Sequence, residues 1–282
     1  MADHDGLSPL PPLFDSAADW RPRQVDTDAP HVARIYDFLL GGKDHFRTDR
    51  MAAELIQRAN PHIRDTARQQ REFLRRAVRH LAGTGLHQFV DIGTGLPTTP
   101  ATHQMARAVN AEARVAYVDN DPIVLSHARV LLSDGGPGTV FIDGDFRAPE
   151  TLLADAALHT LIDLAKPVAI LVTGLLHFLP DHEVPARHIK TLMEACAPGS
   201  HLVLTHGATD LAADLANATA AAYRQSSIPC QLRDGREVLD LLGDLEPIAP
   251  GLVPMAEWRP DGAVSHGVRS RQITYGVVAR KG

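Results

Sequence analysis

Apolar residues in the first third of the chain recur at helical spacing. Val32, Ile35 and Leu39 lie three and four positions apart and predict an amphipathic helix that begins after Asp28-Ala-Pro30. The glycine pair at 41–42 ends this helix and opens a polar loop. Two further helices are predicted over about 49–59 and 61–82, so the front section of the chain is predicted to be entirely helical.

From residue 88 onward, short apolar runs alternate with segments that have the length and polarity of helices. The predicted strands are residues 88–92, 114–119, 139–142, 167–173, 201–205 and 273–279. The predicted helices are residues 100–110, one that begins at 121, and residues 150–164, 181–196, 208–223 and 234–242. Strands joined by helices form βαβ units. The pattern therefore predicts an α/β fold with a mostly parallel, doubly wound sheet that is covered on both faces.

The same pattern divides the chain into three parts. Residues 1–29 contain several prolines and lack apolar periodicity, which predicts a mobile N-terminal arm. Residues 30–84 hold the three front helices and are too short and too glycine-hinged for an independent domain, so we expect them to form a helical lid. Residues 85–282 are expected to form the ligand-binding core.

Composition and charge narrow the classes of function. The 282 residues have a net charge of −6, which disfavours nucleic-acid binding and leaves small-molecule substrates open. No apolar run approaches the roughly 20 residues of a membrane span. Cys196 and Cys230 form no C-x-x-C pair and the acidic N-terminus has no apolar signal segment, so we expect a cytoplasmic protein. Composition does not predict an oligomeric state.

The first strand of the predicted core runs into a glycine-rich turn. In Asp91-Ile-Gly93-Thr-Gly95 the glycines let the backbone approach a ligand at the carboxyl edge of the sheet, although a tight turn without a ligand is an alternative. A dinucleotide-binding turn would have a third glycine at position 98, where this chain has Thr98 after Pro97. Asp91, two residues before the first glycine, suits a zwitterionic amino acid attached to a nucleoside.

Acidic residues also follow the next two predicted strands. Asp119 ends the second strand, where a carboxylate can accept hydrogen bonds from both ribose hydroxyls. Asp121 precedes Pro122 at the start of a helix, and a helix N-cap explains it better. After the third strand, Asp145 and Phe146 have the chemistry to hydrogen-bond and contact an adenine, while an Asx turn explains the same segment equally well.

Two long motifs resemble those of one family. They are Ala33-Arg-Ile-Tyr-Asp-Phe-Leu-Leu-Gly-Gly-Lys-Asp-His-Phe46 and Asp91-Ile-Gly-Thr-Gly-Leu-Pro-Thr98, followed by Asp119 and Gly144-Asp145. On these motifs the chain resembles class I S-adenosylmethionine-dependent methyltransferases. More narrowly, it is similar to an S-adenosyl methyltransferase family abundant in actinomycetes, and residues 245–253 and 258–260 fit the end of that family's pattern. His45 stands where the family more often has Asn.

The resemblance implies a Rossmann-like fold with an antiparallel last strand. It also implies S-adenosylmethionine as cofactor, released as S-adenosylhomocysteine. The loop at Lys43 and Asp44 is expected to close over the cofactor, with Lys43 as a partner for its carboxylate. The remaining residues that the resemblance implies for cofactor binding are Asp91, Gly93 and Gly95 for the methionine part, Asp119 for the ribose, Asp145 and Phe146 for adenine, and Asn120 and Thr173 beside them.

Two residues are candidates for a catalytic role. His177 follows the fourth strand, at the edge that faces the methyl donor in this architecture, and could position an acceptor or remove its proton. A partly exposed loop histidine is the alternative. Tyr36 is expected to face the same site. His177, His182 and His188 are five and six residues apart, a spacing that does not favour one metal-binding helix face, so no metal site is expected.

The leading hypothesis is therefore methyl transfer from S-adenosylmethionine to the oxygen or nitrogen of a small molecule. Alignment of acceptor, methyl and sulfur would supply most of the acceleration, so the sequence does not show whether a base is needed. Two alternatives stay open at this point. One is a protein that binds S-adenosylmethionine without catalysis. The other is a nicotinamide-dependent oxidoreductase, which the missing third glycine disfavours.

Overall fold

The computed structural model of the protein describes residues 25–127 and 136–282. The predicted mobile arm over residues 1–29 lies outside these ranges except for its last five residues. No helix in the described part of the chain is long and apolar enough to cross a membrane.

The three front helices are confirmed. They are α1 (Val32–Leu40), α2 (Arg47–Ala59) and α3 (Ile63–Gly83). Helix α1 begins after His31, whose backbone is extended with φ of −123° and ψ of 141°. Gly41 ends α1 with φ of 89°, a left-handed conformation that glycine adopts at little steric cost.

The predicted strands are confirmed, with ends that differ by no more than two residues. The sheet contains β1 (Gln88–Ile92), β2 (Arg114–Asp119), β3 (Thr139–Asp143), β4 (Ala169–Val172), β5 (His201–Gly207), β6 (Glu246–Pro247), β7 (Val253–Pro254) and β8 (Thr274–Arg280). The order across the sheet is β3-β2-β1-β4-β5-β8-β6, and β7 also pairs with β8. Strands β1 to β5 are parallel, whereas β8 runs antiparallel to β5, β6 and β7.

The remaining helices pack around this sheet. They are α4 (Thr102–Arg107), α5 (described over residues 122–127), α6 (Pro149–Leu153), α7 (Ala156–Leu161), α8 (Pro185–Ala195), α9 (Ala213–Gln225), α10 (Gly235–Asp240) and α11 (His266–Arg269). Two short 3-10 helices, Leu176–Phe178 and Asp181–Glu183, lie between β4 and α8. The sequence predicted none of the two-residue strands, because runs this short carry no periodic signal.

Alternate residues of the strands pack into two separate apolar clusters, as the two-residue repeat of a strand requires. Val90 and Ile92 face the cluster that lies beneath α6, α7 and α8, whereas Phe89 faces the cluster formed with α3. In that second cluster Phe73 packs edge-on against Trp258, with ring centroids 5.6 Å apart. Helix α3 is therefore a layer of the sheet domain, although it belongs to the predicted lid.

Helices α1 and α2 form a third cluster that includes residues of α9 near the other end of the chain. Ile35, Leu39 and Ile56 pack there against Ala216 and Ile228. The cluster lies above the carboxyl ends of the parallel strands. Because β1 is flanked by β2 on one side and β4 on the other, the connections diverge there and leave a crevice, which is the usual ligand site of such sheets.

Candidate active site at the carboxyl ends of the strands

A cavity of about 390 Å³ opens at this crevice. It brings together ten of the twelve residues predicted for the site: Tyr36, Asp91, Gly93, Gly95, Asp119, Asn120, Asp145, Phe146, Thr173 and His177. The cavity continues from the strand ends into a space between α1, α3, α9 and residues 227–232. We call this space the helical lobe. Its walls include Leu39, Ile63, Thr219, Tyr223 and Ile228.

The glycine-rich turn after β1 forms one wall of the cavity. Gly93 and Gly95 have φ of +70° and +66°, where any residue with a side chain is strained. A Cβ atom on Gly93 would also lie 3.1 Å from Leu175 Cδ2. The turn therefore has no side chain at positions 93 and 95, where its backbone lines the cavity.

Asp91 is buried beneath this turn and keeps unused acceptor capacity. Thr102 donates a hydrogen bond to its Oδ2 at 2.6 Å. Burial raises the pKa of Asp91, and the hydrogen bond from Thr102 and the positive charge of Arg71 only partly offset that effect. A buried carboxylate in this position gains from a cationic ligand group, since such a group would restore the stabilisation that water no longer provides.

Asp119 links the end of β2 to the glycine turn. Its Oδ2 accepts from the Gly95 N–H at 2.8 Å and its Oδ1 accepts from the Asp121 N–H at 2.9 Å. Burial raises the pKa of Asp119, while these two backbone hydrogen bonds act in the opposite direction. Each carboxylate oxygen has a second lone pair, so the side chain can still accept from a ligand diol.

Asp121 has the structural role that its sequence position predicts. Its Oδ1 accepts from the Ile123 N–H at 2.7 Å, which confirms the N-cap. Its Oδ2 also lies 2.8 Å from His31 Nδ1 and 3.7 Å from Arg34 Nε, so it fastens α1 to the core. Burial raises the pKa of this carboxyl, but the His31 and Ile123 hydrogen bonds and the Arg34 charge outweigh burial and hold it below the ordinary value.

Asp145 and Asn120 form a polar pair at the rim of the cavity. Asn120 Nδ2 donates to Asp145 Oδ2 at 2.8 Å, and Arg147 Nη2 donates to the same oxygen at 2.6 Å. Burial raises the pKa of Asp145, yet these hydrogen bonds outweigh it and hold the pKa below its usual range. Phe146 is buried beside them. The sequence analysis missed Arg147, although it follows directly after this pair.

The structure places Lys43 and Asp44 outside the lining of the cavity and does not bring them to the other predicted site residues. The reason is local. The Asp44 N–H donates to Asp37 Oδ2 at 2.9 Å, so the loop folds back on the end of α1. A side chain at Gly42 would overlap the Asp37 carboxylate. The glycines of this motif therefore serve the turn, and Lys43 is exposed.

Arg71 is the cation that the sequence analysis missed. It lies half-buried on α3, lines the cavity beside the glycine turn and donates from Nη2 to the Pro100 carbonyl at 2.7 Å. Its positive charge acts to lower the pKa of both Asp91 and Tyr36. It was missed because the polar face of a long helix contains many arginines, and only the packing of α3 on the sheet selects this one.

His177 lies in the short helix after β4, where the cavity passes into the helical lobe. Its Nδ1 is buried and has no hydrogen-bond partner among the described residues. Burial and, to a smaller extent, the nearby positive charge of Arg233 together lower the pKa of His177 to about 4. The imidazole is therefore neutral near pH 7, and its ring lines the cavity.

Tyr36 faces the cavity with its proton already engaged. Its hydroxyl donates to the Ala67 carbonyl of α3 at 3.0 Å. Burial raises the pKa of Tyr36 to about 12, and the charge of Arg71 only partly counteracts this. At neutral pH this side chain is a neutral phenol that can accept a hydrogen bond from a ligand, so the structure does not favour it as a base.

No cluster of three or more histidine, cysteine or acidic side chains with the geometry of a metal site occurs among residues 25–127 and 136–282.

Two solved structures are similar to this chain over most of its length. A DUF574 family protein from Streptomyces avermitilis is 37% identical, and its crystal structure has a TM-score of 0.87 over 92% of this chain and 100% of that protein. A candidate methyltransferase from Thermobifida fusca is 38% identical, with a TM-score of 0.86 over 93% of this chain and 99% of that protein. No curated protein matches the sequence.

The sheet order, the antiparallel β8 and the ligand crevice are those of the Rossmann-like class I methyltransferase fold. The family model for S-adenosyl methyltransferases matches residues 18–282, which is nearly the whole chain. The chain therefore belongs to the S-adenosyl methyltransferase family and is an S-adenosylmethionine-dependent methyltransferase.

Proposed function

We propose that the enzyme transfers the methyl group of S-adenosylmethionine to a small molecule bound in the helical lobe. The observation that carries this proposal is the single cavity that joins the glycine turn to the lobe. Half-buried aromatic side chains, including Tyr36 and Tyr223, wall the lobe. The net charge of −6 also disfavours a nucleic-acid acceptor.

The residues at the strand ends fit the nucleoside part of the cofactor. Asp119 is buried at the end of β2 with free acceptor capacity and would bind the ribose diol. Asp145 and Asn120 would bind the edge of adenine, and Phe146 would pack beneath its ring. Gly93 and Gly95 support this assignment, because both have positive φ values that favour glycine and both line the cavity.

The methionine part requires one anion and one cation, and the cavity offers both beside the glycine turn. Asp91 would bind the ammonium group, since burial leaves this carboxylate short of stabilising partners. Arg71 would bind the carboxylate and replaces Lys43 in our assignment, because Arg71 lines the cavity and Lys43 does not. Thr173 lies at the end of β4, next to this group of residues.

In this site the protein mainly aligns the two substrates. S-adenosylmethionine, when bound, supplies an activated methyl group on a positively charged sulfur atom, for displacement by an acceptor in line with the carbon–sulfur bond. Oriented encounter of this kind accounts for a large share of the acceleration in such reactions. His177 lies between the cofactor residues and the helical lobe, so it is placed to hold the acceptor. The Tyr36 hydroxyl donates its hydrogen bond to the Ala67 carbonyl, so this side chain forms an uncharged part of the cavity wall.

Calorimetric titration with S-adenosylmethionine and S-adenosylhomocysteine tests the first half of the proposal. An assay of S-adenosylhomocysteine release with panels of phenols, carboxylates and amines tests the second half, with transfer RNA and unfolded protein as comparison substrates. We expect both cofactor forms to bind and a small-molecule panel to be methylated. Methylation of the macromolecules alone, or absence of cofactor binding, would contradict the proposal.

A further inference from the structure

The helical lobe is built mainly from apolar and aromatic groups. Phe178 packs edge-on against Tyr223, with ring centroids 5.1 Å apart, and the His177 ring lies 4.2 Å from the Phe178 ring. Tyr36 lies close enough to Tyr223 to raise its pKa. Ile228 completes the wall from the loop after α9. Such a surface favours a planar, apolar ligand, because stacking and edge contacts with rings depend on a flat partner.

The titratable groups of the lobe are neutral near pH 7. Burial raises the pKa of Tyr36 and of Cys230 to about 12 and raises that of Tyr223 as well. Burial also keeps His177 uncharged. A ligand with a full charge would lose its hydration here without gaining an opposite charge, and that loss is costly. Arg71 is the cation on the cofactor side of the lobe, and the proposed function assigns it to the methionine carboxylate.

One end of the lobe favours an oxygen atom. The His177 ring lines the cavity, and a neutral imidazole has one nitrogen that can accept from a ligand hydroxyl. Behind it lies Arg233, which is buried and lowers the pKa of His177 by its positive charge. Arg233 is held by His206 Nε2 at 2.7 Å and by Asp181 Oδ1 at 2.5 Å. Asp181 offsets part of the Arg233 charge, and the remainder favours negative charge that develops on an acceptor oxygen and opposes a cationic acceptor.

We infer that the methyl acceptor is an uncharged aromatic compound with a ring hydroxyl, a phenol, whose ring lies among Tyr36, Phe178 and Tyr223 and whose hydroxyl group donates to His177. This inference rests on the proposed function. In the transfer, the phenol oxygen bonds to the methyl carbon and the carbon–sulfur bond breaks with its electron pair left on sulfur. The hydroxyl proton passes to His177 and then to solvent. His177 is a weak base here, so the proton leaves late, as the oxygen is methylated.

Three probes of similar size and different charge test the inference. They are 4-nitrophenol, 4-nitrobenzoate and 4-nitrobenzylammonium, titrated calorimetrically at pH 6 into the enzyme saturated with S-adenosylhomocysteine. We expect the phenol to bind at least tenfold more tightly than either charged probe. We also expect 4-nitroanisole to form when S-adenosylmethionine replaces the product. Tighter binding of the carboxylate or the ammonium probe would overturn the inference, and so would a phenol that binds but is not methylated.

Variants locate the probe and separate the two proposals. The two variants are Ala220→Leu, on α9, and Ile228→Phe, in the loop after α9. Both residues line the lobe, so the larger side chains fill it. We expect each folded variant to lose phenol binding and to keep its affinity for S-adenosylhomocysteine within twofold. His177→Ala should weaken 4-nitrophenol binding about tenfold and leave binding of the ether 4-nitroanisole unchanged. An equal loss of affinity for both ligands would show that His177 only packs against the ligand, and would contradict the proposed hydrogen bond.

The outcomes of these measurements distinguish the proposed function from the inference. If S-adenosylhomocysteine does not bind, the proposed function fails and the inference fails with it. If the cofactor binds and carboxylates or amines are methylated in preference to phenols, the proposed function stands and the inference alone is wrong.

Discussion

Buried acidic side chains at the strand ends do two tasks at once in this enzyme. Asp119 holds the backbone of the glycine turn through the Gly95 N–H and also lines the cavity. Asp91 is fixed by Thr102 and faces the same space. Because each carboxylate has more acceptor sites than the protein uses, the same group can order the turn and bind a ligand. Removal of either group therefore affects binding through two routes.

The change Asp119→Ala tests this double role. It removes the acceptor for the ribose and frees the Gly95 N–H, so we expect the affinity for S-adenosylhomocysteine to fall by about 2–3 kcal/mol, roughly 30- to 150-fold. Isothermal titration calorimetry measures the loss. Asp143→Ala is the matched control, because Asp143 ends the neighbouring strand and does not line the cavity. Near-native affinity of Asp119→Ala would count against this site.

Replacement of Arg71 and of Lys43 shows which of the two side chains binds the cofactor. Arg71→Met removes the charge that we assign to the methionine carboxylate and should weaken cofactor binding by about 1.5–3 kcal/mol. Lys43→Met should leave the affinity unchanged, because Lys43 is exposed outside the cavity. Titration of both variants with S-adenosylhomocysteine gives the comparison. If Lys43→Met weakened binding and Arg71→Met did not, the loop at 43–46 would be the part of the protein that holds the cofactor.

The buried histidines predict a pH dependence of stability. Burial lowers the pKa of His206 to about 3 and that of His177 to about 4, below the value near 6.5 expected for the unfolded chain. The unfolded chain therefore binds protons that the folded chain excludes. The contribution of these histidines to the free energy of unfolding is therefore fully present above pH 6.5 and is lost as the pH falls from 6.5 toward 3.

The variant His206→Asn measures that contribution. Between pH 6 and pH 4 the free energy of unfolding of the unchanged protein should fall more steeply, by up to about 1.4 kcal/mol per pH unit, than that of the variant. Denaturant unfolding at several pH values gives the two slopes. Parallel slopes would show that the imidazole of His206 takes up its proton in the folded state as readily as in the unfolded chain.

At the scale of elements, the front helices have different partners. Helix α3 covers one face of the sheet through Phe73 and its neighbours, whereas α1 and α2 pack with α9 above the strand ends. The start of α1 is fastened at its base, since Arg34 Nε lies 3.4 Å from buried Asp49 and 3.7 Å from Asp121. The lid over residues 30–84 stays a prediction. Because α3 is packed against the sheet, α1 and α2 are better candidates for a lid than α3.

The role of α3 can be measured at Phe73. This side chain is fully buried between the helix and Trp258, so Phe73→Ala should destabilise the protein by about 3–5 kcal/mol through lost burial and a residual cavity. Arg79→Ala on the exposed side of the same helix should change stability by no more than about 0.5 kcal/mol. Chemical denaturation compares the two variants. A small effect at Phe73 would mean that α3 is detachable from the sheet.

At the scale of the whole molecule, one face of the sheet depends on the segment that precedes it. Without residues 30–84, the fragment 85–282 would expose the strand side chains that pack against α3, among them Phe89 and Val115. We expect this fragment to lack a cooperative unfolding transition, whereas residues 25–282 should retain one. Calorimetry of both proteins decides. Cooperative unfolding of the fragment near the melting temperature of the longer protein would support a separate core domain.

Family membership also removes two alternatives that the sequence motifs left open. The family is one of methyltransferases, so neither a nicotinamide-dependent oxidoreductase nor a protein that only binds the cofactor describes the chain. The position of Thr98 already disfavoured the oxidoreductase, since a dinucleotide turn would have glycine there. In our proposal the helical lobe selects the acceptor, and no single motif encodes that lobe.

The sequence by itself determined the parallel strands, the glycine turn and most of the predicted site residues that line the cavity. These features are local: a strand has a two-residue repeat, and residues at the ends of neighbouring parallel strands meet at one edge of the sheet. Only the tertiary structure decided which cation lines the cavity, because the loop that contains Lys43 folds back on the end of α1 whereas α3 packs on the sheet with Arg71 beside the glycine turn. It also assembled Tyr36, His177 and Tyr223 into one lobe. These residues lie on different elements far apart in the chain, so only the packing of α1, α3 and α9 brings them together.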